Sequence, residues 1–418
     1  MSEKLQELKA LRGRMEKELR ENILNYWIKY TIQPGGKGFY GAVDLSNKPV
    51  EGADKTCVVN TRILWTFAEA ALVCGDKKYS EVADLAFQMV AENFLDNQHG
   101  GFFMSITDDN QISNDIKHTY AQAFGIYALA KYFELRKDEK AASLMRHTFE
   151  LLEEKAKDKN GPGYFEGFSR DWKPIENNRM ADDNEPKSMN THLHVLEGYA
   201  GLYKVWKDEK VKTRLSELLN IFMDRVVRDS GHFGIFFDEN FQEVEASKGT
   251  CSFGHDIEGS WLLWEASEIL GDKKILDRLQ PIVTKIVDSI EQVAVDKNGG
   301  LFLESRRYGS HVRTNKHWWP QAETVVGFMN AYQLVGDEKY LDTMLQTWSF
   351  IDENLVDHEG GEWFTKLNRL GKPYLVEPAD DPSPFYRNDR KVDPWKGPYH
   401  NGRMCMEMIR RIDAVIKT

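Results

Sequence analysis

Three of the eleven histidines stand where an acid–base reaction would need them. His194, His255 and His400 each lie near the start of an apolar helical segment, with polar residues close by. An imidazole with its ordinary pKa near 6.5 both takes up and returns a proton close to neutral pH. These residues therefore predict a site that moves protons to and from a small molecule.

Polar and aromatic partners accompany the histidines at helical spacing. The pairs three or four residues apart are Asn190 and His194, His255 and Glu258, and Trp319 and Glu323. Residues at this spacing share one face of a helix. A carboxylate beside an imidazole fixes its tautomer and raises its basicity, so we expect Glu258 to orient His255.

Metal chemistry is not expected at this site. His192 and His194 suggest a metal-binding pair, but residues two apart on a helix point to opposite sides, so one ion cannot take both. The four cysteines, Cys57, Cys74, Cys251 and Cys405, are widely spaced and form no Cys-x-x-Cys pair. This usage predicts free thiols in a reducing cytoplasm, without structural zinc.

An internal repeat of about 65 residues positions these side chains. An aspartate within a short Gly/Lys-Asp-Lys/Glu-Lys signal recurs at Asp76, Asp138, Asp208, Asp272 and Asp337. An apolar helical segment precedes each aspartate and an amphipathic one follows, with the aspartate as its expected N-cap. A Gly-aromatic segment then follows, for example Gly100-Gly101-Phe102-Phe103, and we expect its glycines to stop the helix.

Five such units are visible, and a sixth can be assembled from helices near the two ends of the chain, roughly 3–30 and from His400 onward. Two-helix units that bury their faces against neighbours make an open solenoid or a closed ring. A closing pair drawn from both ends favours the ring. The sequence thus predicts an all-α fold, an (α/α)6 barrel of six helix pairs with short β returns, in one domain over residues 1–418.

Alignment of the units brings the polar residues to one level. Fourteen residues before the repeated aspartates stand Arg62, Phe124, His194, Glu258 and Glu323, and His400 and Arg403 open the sixth inner helix. Charged side chains are rarely buried unless paired, so this level predicts a polar pocket at one end of the barrel. The competing interpretation is that these residues only cap helices and satisfy loop carbonyls.

The net charge of −11 and the lack of a Lys/Arg stripe argue against a nucleic-acid partner and favour a neutral substrate. The first residues are amphipathic and charged, and no run of 18 apolar residues occurs, so neither a signal peptide nor a membrane partner is expected. We therefore expect a cytoplasmic protein.

Five local sequences resemble the cellobiose 2-epimerases, a family grouped with the N-acylglucosamine 2-epimerases. They occur in order along nearly the whole chain, as Asn60-Thr-Arg-Ile-Leu-Trp-Thr-Phe, Asn184-Glu-Pro-Lys-Ser-Met-Asn-Thr-His-Leu-His, Gly254-His-Asp-Ile-Glu, Lys316-His-Trp-Trp-Pro-Gln-Ala-Glu and Trp395-Lys-Gly-Pro-Tyr-His-Asn-Gly-Arg-Met-Cys. The resemblance implies an (α/α)6 barrel without metal or redox cofactor. It also implies interconversion of glucose and mannose configurations at the reducing end of β-1,4-linked disaccharides, through a cis-enediolate.

The same resemblance implies roles for individual residues. His255 and His400 would be the acid–base pair, and His194 would support ring opening and the enediolate. The substrate-binding residues would be Arg62, Asn190, Glu258, Trp319, Glu323, Trp395 and, less directly, Tyr120.

One segment departs from the family pattern. Residues 371–393 form a loop, rich in Pro and charge, that looks longer than usual and could narrow the subsite for a second sugar. Free mannose, glucose or N-acylglucosamine therefore stays open as the substrate, with aldose–ketose isomerisation as a related activity. The sequence is also compatible with a glycoside hydrolase or a non-catalytic carbohydrate-binding barrel, and either a monomer or a homodimer is expected.

Overall fold

Helices alternate between apolar and amphipathic along the chain. The computed structural model describes residues 3–177, 184–376 and 387–417. Its α-helices in chain order are α1 (Glu3–Lys17), α2 (Asn25–Thr31), α3 (Cys57–Cys74), α4 (Lys77–Met89), α5 (Thr119–Arg136), α6 (Glu139–Leu151), α7 (Met189–Val205), α8 (Glu209–Ile221), α9 (Phe253–Leu270), α10 (Lys273–Val293), α11 (Trp318–Val335), α12 (Glu338–Phe350) and α13 (Tyr399–Lys417).

The odd-numbered helices from α3 to α13 form a closed inner ring. Each contacts the next in sequence, and α13 contacts both α11 and α3, which closes the circle. The even-numbered helices from α4 to α12 pack outside, each against the inner helix before it, and α1 packs outside α13. The predicted (α/α)6 barrel is therefore confirmed, including the sixth pair built from the two ends of the chain.

The repeated aspartates begin the outer helices, as predicted. Asp76, Asp138, Asp208, Asp272 and Asp337 are the N-caps of α4, α6, α8, α10 and α12, and each accepts a hydrogen bond from a backbone N–H of the first turn. Four outer helices and α1 continue into a wider π-helical turn, over Val90–Phe94, Leu152–Ala156, Phe222–Val226, Ile351–Leu355 and, after α1, Glu18–Leu24.

Short antiparallel strands ring the end of the barrel where the inner helices begin. The pairs or triplets are Lys55–Thr56 with Ser105–Ile106 and Ile112–Asn114, Lys117–His118 with Gly167–Phe168, Lys187–Ser188 with Phe236–Phe237, Cys251–Ser252 with Glu304–Arg306 and His311–Arg313, Lys316–His317 with Lys366–Leu367, and Val43–Asp44 with Arg390–Val392. We call this end the mouth. Five of these strands lead directly into an inner helix.

The prediction that the Gly pairs stop the outer helices is wrong. The helical stretch after α4 ends at Phe94, and Gly100 and Gly101 follow in a tight turn that Asp96 closes by hydrogen bonds to both glycines. Both glycines have positive φ, 70° and 71°. The turn needs this left-handed backbone to reverse the chain, which is why glycine occupies it.

Buried lysines tie the strands to these turns. Lys117, Lys187, Lys316 and Lys391 each stand in a strand at the mouth and pair with an aspartate of a Gly-aromatic turn, respectively Asp96, Asp158, Asp296 and Asp357. The lysine side chains are fully buried. Burying an ion pair is costly, and geometry this regular is needed to compensate for the lost hydration. We call these four pairs the Lys–Asp latches.

Helix α3 is, among the described residues, the one helix long and apolar enough to cross a membrane by length and composition. Its mean hydropathy is 1.3, and 83% of it is buried inside the barrel. A core helix of a closed ring has this character because it is covered on all sides.

Candidate active site

The six inner helices bring the expected residues together below the mouth. Arg62, His194, Glu258 and Glu323 are each the sixth residue of their helix, so they lie in the second turn, deeper than the helix start at which the sequence predicted them. All four are buried, with 1–4% of their surface exposed. The structure thus brings these residues to one level of the ring, while their role in a ligand pocket stays a prediction.

His255 and His400 both contact Trp319. The centroid of the His255 ring is 4.7 Å from that of Trp319, and the centroid of His400 is 5.6 Å from it. Gly254 allows the approach of Trp319 to α9, because a Cβ there would lie 2.6 Å from the indole Cη2. Two imidazoles, from α9 and α13, thus contact the same indole.

His400 is held by a carboxylate. Its Nδ1 lies 2.6 Å from Glu323 Oε1, and the same carboxylate accepts hydrogen bonds from Arg403 Nη2 at 2.7 Å and Trp261 Nε1 at 3.0 Å. A carboxylate at Nδ1 fixes the proton there, so the unshared electron pair of the neutral ring is on Nε2. His400 is therefore arranged as a base in its neutral form.

Glu258 does not orient His255, which corrects the expected pairing. Glu258 Oε1 accepts from Arg403 Nη2 at 2.8 Å and lies 3.9 Å from His400 Nδ1. His255 Nδ1 instead lies 2.7 Å from Ser252 Oγ. Helical spacing brings Glu258 to the same side of α9 as His255, but the charge of Arg403 draws the carboxylate toward the barrel axis.

Arg403 joins three carboxylates at the centre of the barrel. Besides Glu258 and Glu323, it bonds Glu197 and the Tyr399 hydroxyl through Nη1, and it is 1% exposed. We call Arg403 with these three glutamates the arginine cluster. Its guanidinium provides several directed donors, which a buried group of carboxylates requires.

His194 is attached to the arginine cluster from the other side. Its Nδ1 lies 2.9 Å from Glu197 Oε2, and its ring contacts Tyr120 and Phe124, each with centroids 4.8 Å apart. The carboxylate fixes the Nδ1 proton as in His400. His194 and His400 therefore share one type of support, through two different glutamates that Arg403 also binds.

Arg62 connects two of the expected sugar-binding aromatics. Its Nη1 donates to the Trp395 carbonyl at 3.0 Å and its Nη2 donates to the Tyr120 hydroxyl at 2.8 Å. The guanidinium also lies over the Phe124 ring, 4.6 Å from the centroid. Asp393 fixes the same loop by accepting from the Trp395 N–H at 2.8 Å. Trp395 is thus held at the mouth by its backbone, and its half-buried ring packs edge-on against Tyr120, with 6.3 Å between the centroids.

Three polar atoms of the expected substrate-binding residues have no hydrogen-bond partner among the described residues. They are Asn190 Oδ1, Arg62 Nε and Trp319 Nε1, each buried. Buried polar groups are nearly always paired, so these atoms have hydrogen-bonding capacity that a ligand can use. The expected substrate-binding residues Asn190, Arg62 and Trp319 therefore include both an acceptor and donors.

Burial lowers the pKa of the site histidines. It lowers the pKa of His255 to about 3, with the nearby His194 contributing, and it lowers the pKa of His400 to about 3 although Glu323 opposes the change. Burial also raises the pKa of Glu258, and the neighbouring Glu323 raises it further. Burial favours the same change in Glu323, but Arg403 and His400 outweigh it and lower the pKa of that carboxyl. Of these two carboxyls, Glu258 is therefore the one that takes up a proton more readily.

Glu258, Glu323 and His400 have donor atoms within 4.8 Å of one another, a spacing that a metal ion could use. Arg403 Nη2 already bridges the two carboxylates, at 2.8 and 2.7 Å. A metal ion would have to displace this buried cation, so the donor set does not fit a resident metal. The expectation of no cofactor stays a prediction.

Sequence reasoning missed Glu197 and Tyr399 and did not recognise the central role of Arg403. Glu197 follows His194 by three residues and Arg403 follows His400 by three, which is the spacing used for the other pairs. That signal was present for both. The expected effect of the loop 371–393 on a second sugar subsite falls largely on residues 377–386, which lie outside the described residues.

Similarity to known proteins agrees with this geometry. The family model for N-acylglucosamine 2-epimerase (GlcNAc 2-epimerase) matches residues 38–387. The cellobiose 2-epimerase of Bacteroides fragilis is 35% identical over 402 residues, which cover 96% of this chain and 98% of that protein. The D-mannose isomerase of Marinomonas mediterranea is 22% identical over 94% of this chain and 95% of its own length.

Among solved structures, the cellobiose 2-epimerase of Bacillus thermoamylovorans superimposes with a TM-score of 0.88 at 32% identity. The match covers 96% of this chain and all of that one. A family model matching most of the chain, a near full-length relative above 30% identity and a shared fold all agree. The chain therefore belongs to the N-acylglucosamine 2-epimerase family and is a sugar 2-epimerase, an isomerase.

Proposed function

We propose that this enzyme inverts C2 of the reducing-end residue of β-1,4-linked disaccharides, with His255 and His400 as the acid–base pair. The observation that carries the proposal is the contact of these two imidazoles, from different helices, with the same indole of Trp319. Inversion of C2 requires a base for each face of the carbon, and we infer that these two imidazoles provide them.

The chemistry requires the open-chain aldehyde, because its carbonyl acidifies the C2 proton. One histidine removes this proton through Nε2, and the electron pair forms an enediolate over C1, C2 and the C1 oxygen. The protonated partner then gives its Nε2 proton to the opposite face of C2, and the carbonyl reforms. The C–H bond that breaks and the one that forms balance, and one proton has passed from one imidazole to the other.

Stabilisation of the enediolate falls to Arg62. Its Nε has no partner among the described residues, and its other nitrogens are fixed by Trp395 and Tyr120. A preorganised cation at a developing oxyanion contributes strongly to catalysis, since it needs no reorganisation during the reaction. His194 is placed to assist ring opening, because its Nδ1 is held by Glu197 and its Nε2 is available as a base.

A disaccharide is proposed over a monosaccharide because the relatives above 30% identity that cover nearly the whole chain are named cellobiose 2-epimerases. Mannose–fructose isomerisation is the second candidate, favoured by the similarity to a D-mannose isomerase at lower identity. The two reactions share the enediolate and differ in where the proton returns, at C2 or at C1.

A product assay in heavy water distinguishes these activities. Cellobiose, lactose, mannose and N-acetylglucosamine are incubated in turn and the products are identified by NMR. The proposal predicts deuterium at C2 of the epimerised disaccharide and no new reducing ends. A ketose product from mannose alone would support the isomerase, new reducing ends would indicate a glycoside hydrolase, and unchanged sugars a binding protein.

His255→Ala and His400→Ala test the assignment of the bases. Loss of a general acid or base typically costs about 10² to 10⁴ in kcat, so each variant should lose C2 exchange while its circular dichroism stays native. His358→Ala, an exposed histidine of an outer turn, is the matched control and should retain full activity. Near-normal turnover in either test variant would remove that residue from the mechanism.

A further inference from the structure

The two proposed bases differ in the group that supports them. His400 Nδ1 meets the carboxylate of Glu323 at 2.6 Å, whereas His255 Nδ1 meets the hydroxyl of Ser252 at 2.7 Å. His194 Nδ1 also meets a carboxylate, that of Glu197. His255 is therefore the one histidine of the three whose Nδ1 partner carries no charge.

Ser252 occupies a helix N-cap position but does not make the side-chain hydrogen bond that is usual there. It is the N-cap of α9, yet its side chain accepts no backbone N–H of that helix. The N-cap residues of three other inner helices, Thr56 of α3, His118 of α5 and Ser188 of α7, each do so. Serine is a favoured N-cap because of this bond. The hydroxyl of Ser252 is directed to His255 instead, while strand pairing of Ser252 with Glu304 holds its backbone.

The surroundings of His255 make this partner decisive. The charged or titratable groups that act on its imidazole from neighbouring helices are His194 of α7 and Glu323 of α11. Trp319 covers one side of the ring. Because Glu323 is bonded to His400, Arg403 and Trp261, its charge is already shared with three donors. The hydroxyl of Ser252 is thus the directed polar contact at Nδ1.

We propose that Ser252 is a positioning residue that holds the proton of neutral His255 on Nδ1 and leaves its imidazolium less stabilised than that of His400. The inference rests on the proposed roles of His255 and His400. A hydroxyl accepts from an Nδ1–H more weakly than a carboxylate does, so a proton shared by the two imidazoles resides on His400. His255 is then the base of the resting enzyme, and in the reverse direction His400 is the base and His255 carries the proton that is donated.

The proton movements are balanced. His255 Nε2 takes the C2 proton, and its Nδ1–H continues to donate to Ser252 Oγ. Protonated His400 gives its Nε2 proton to the other face of C2 and becomes neutral, with its Nδ1–H still bonded to Glu323. Solvent then takes a proton from His255 and returns one to His400, which restores the starting state.

Substitutions at residue 252 test the role of the hydroxyl. Ser252→Ala should lower kcat about tenfold to a hundredfold with little change in KM, the usual cost of removing a partner that orients a functional imidazole. Ser252→Thr keeps the hydroxyl and should restore most of the activity. Ser252→Asp supplies a carboxylate and should move the acidic limb of the kcat/KM profile to higher pH, because it stabilises protonated His255.

Ser188→Ala is the matched control. Ser188 also precedes an inner helix, but its hydroxyl caps that helix, so this variant should lower Tm and leave the pH profile in place. Ser252→Ala should show the reverse pattern, with an unchanged Tm and altered kinetics.

His255→Ala is measured in parallel to separate the two proposals. An inactive His255→Ala together with a Ser252→Ala of normal kcat and pH profile would overturn the role of Ser252 alone. An active His255→Ala would overturn the proposed function as well. If Ser252→Ala does not fold, the shift expected for Ser252→Asp decides, and an unshifted profile in that variant overturns the inference.

Discussion

At the scale of single residues, the arginine cluster determines how the active site is charged. One guanidinium serves Glu197, Glu258 and Glu323, two of which support histidines at Nδ1. The cluster therefore couples His194 on α7 to His400 on α13 through shared hydrogen bonds. A change at Arg403 should reach both histidines through the glutamates that they share with it.

Replacement of Arg403 by methionine tests this coupling. Removing one partner of a buried ion pair typically costs about 3 to 5 kcal/mol, because the remaining charge is left uncompensated. We expect a loss of this size in the free energy of unfolding, measured with urea, and loss of C2 exchange. Arg411→Met is the control, since Arg411 pairs with Glu407 at the margin of the barrel and is partly exposed. Equal stability of the two variants would contradict the central role of Arg403.

A polar residue also stands two positions before each of four residues at the site level, Phe124, His194, Glu258 and Glu323. Its side chain points away from the barrel axis, toward a Gly-aromatic turn. Gln122, His192, Asp256 and Gln321 each accept a backbone N–H from a Gly-aromatic turn, at 2.6–2.9 Å. This explains why His192, unlike His194, takes no part in the pocket. Its Nδ1 also bonds the Ser188 carbonyl at 2.7 Å.

His192 makes stability depend on pH. Burial lowers its pKa from 6.5 to about 4, so the unfolded chain takes up a proton near pH 6.5 and the folded one only near pH 4. Its contribution to stability is therefore present above pH 6.5 and is lost as the pH falls. His192→Gln uses the residue found at the equivalent positions 122 and 321 and removes this dependence.

Urea unfolding at pH 7.5 and 5.0 measures the difference. At roughly 1.4 kcal/mol per pH unit, the wild type should lose about 2 kcal/mol more than His192→Gln between these two values. An identical pH dependence of the two proteins would show that His192 takes up its proton normally in the fold.

The sequence predicted most residues of the pocket because the repeat places them at one level. It did not predict their pairing. Spacing along one helix predicted a pair of His255 with Glu258, but the actual partners of Glu258 come from α13. A local sequence pattern cannot show that a charged residue distant in sequence, here Arg403, contacts Glu258 from another inner helix. The residue roles in catalysis stay predictions.

At the scale of elements, the Lys–Asp latches join inner helices to the turns before them. In the unit that ends at α9 the pattern changes, since Cys251 stands at the lysine position and Arg228 at the aspartate position. Arg228 then bonds Glu243 and the Thr250 carbonyl. In this unit the positive charge thus stands at the position that is an aspartate elsewhere. The ion pair of Arg228 with Glu243 fixes the loop before α9, the helix of His255.

Lys187→Met tests the contribution of one latch. Lys187 Nζ bonds Asp158 and two backbone carbonyls and is fully buried. We expect a loss of about 3 to 5 kcal/mol in the free energy of unfolding. Lys273→Met is the control, because Lys273 pairs with Asp277 while 85% exposed and such pairs contribute less than about 1 kcal/mol. A cost below that of the control would show that the latch is dispensable.

Helix boundaries were predicted where a local signal exists, as with the five aspartate caps. The Gly pairs led to a wrong prediction of the helix ends, because glycine indicates a left-handed backbone but does not show whether this lies at a helix end or in a later turn. Three latches also have a sequence signal, since a lysine stands seven residues before Phe124, His194 and Glu323. Because lysine side chains are usually exposed, the sequence alone would not predict that these lysines are buried.

At the scale of the whole molecule, the two ends of the chain share one helix pair. Arg12 of α1 bonds Asp413 of α13 at 2.7 Å, on the side of the barrel away from the mouth. The ring has no gap between α13 and α3. The packing of the inner helices is therefore continuous at the helix pair that contains both ends of the chain.

A circular permutant tests this equivalence. The first and last residues of the sequence are joined by a short Gly/Ser linker, and new ends are placed between Gly271 and Asp272, an exposed turn away from the mouth. Exposed turns tolerate such openings, so we expect a folded protein with most of its kcat/KM. The control opens the chain between Gly299 and Gly300, next to the bond from Leu301 to Gln321, and should lose stability. A folded but inactive first permutant would contradict the prediction.

Helix α13 carries His400 and Arg403 and also completes the circle, since it contacts both α11 and α3. A ring without α13 would lack one of the two proposed bases and the cation of the arginine cluster. Under the proposed mechanism, the same helix that closes the barrel therefore also completes the catalytic machinery, so an incompletely closed barrel would be inactive.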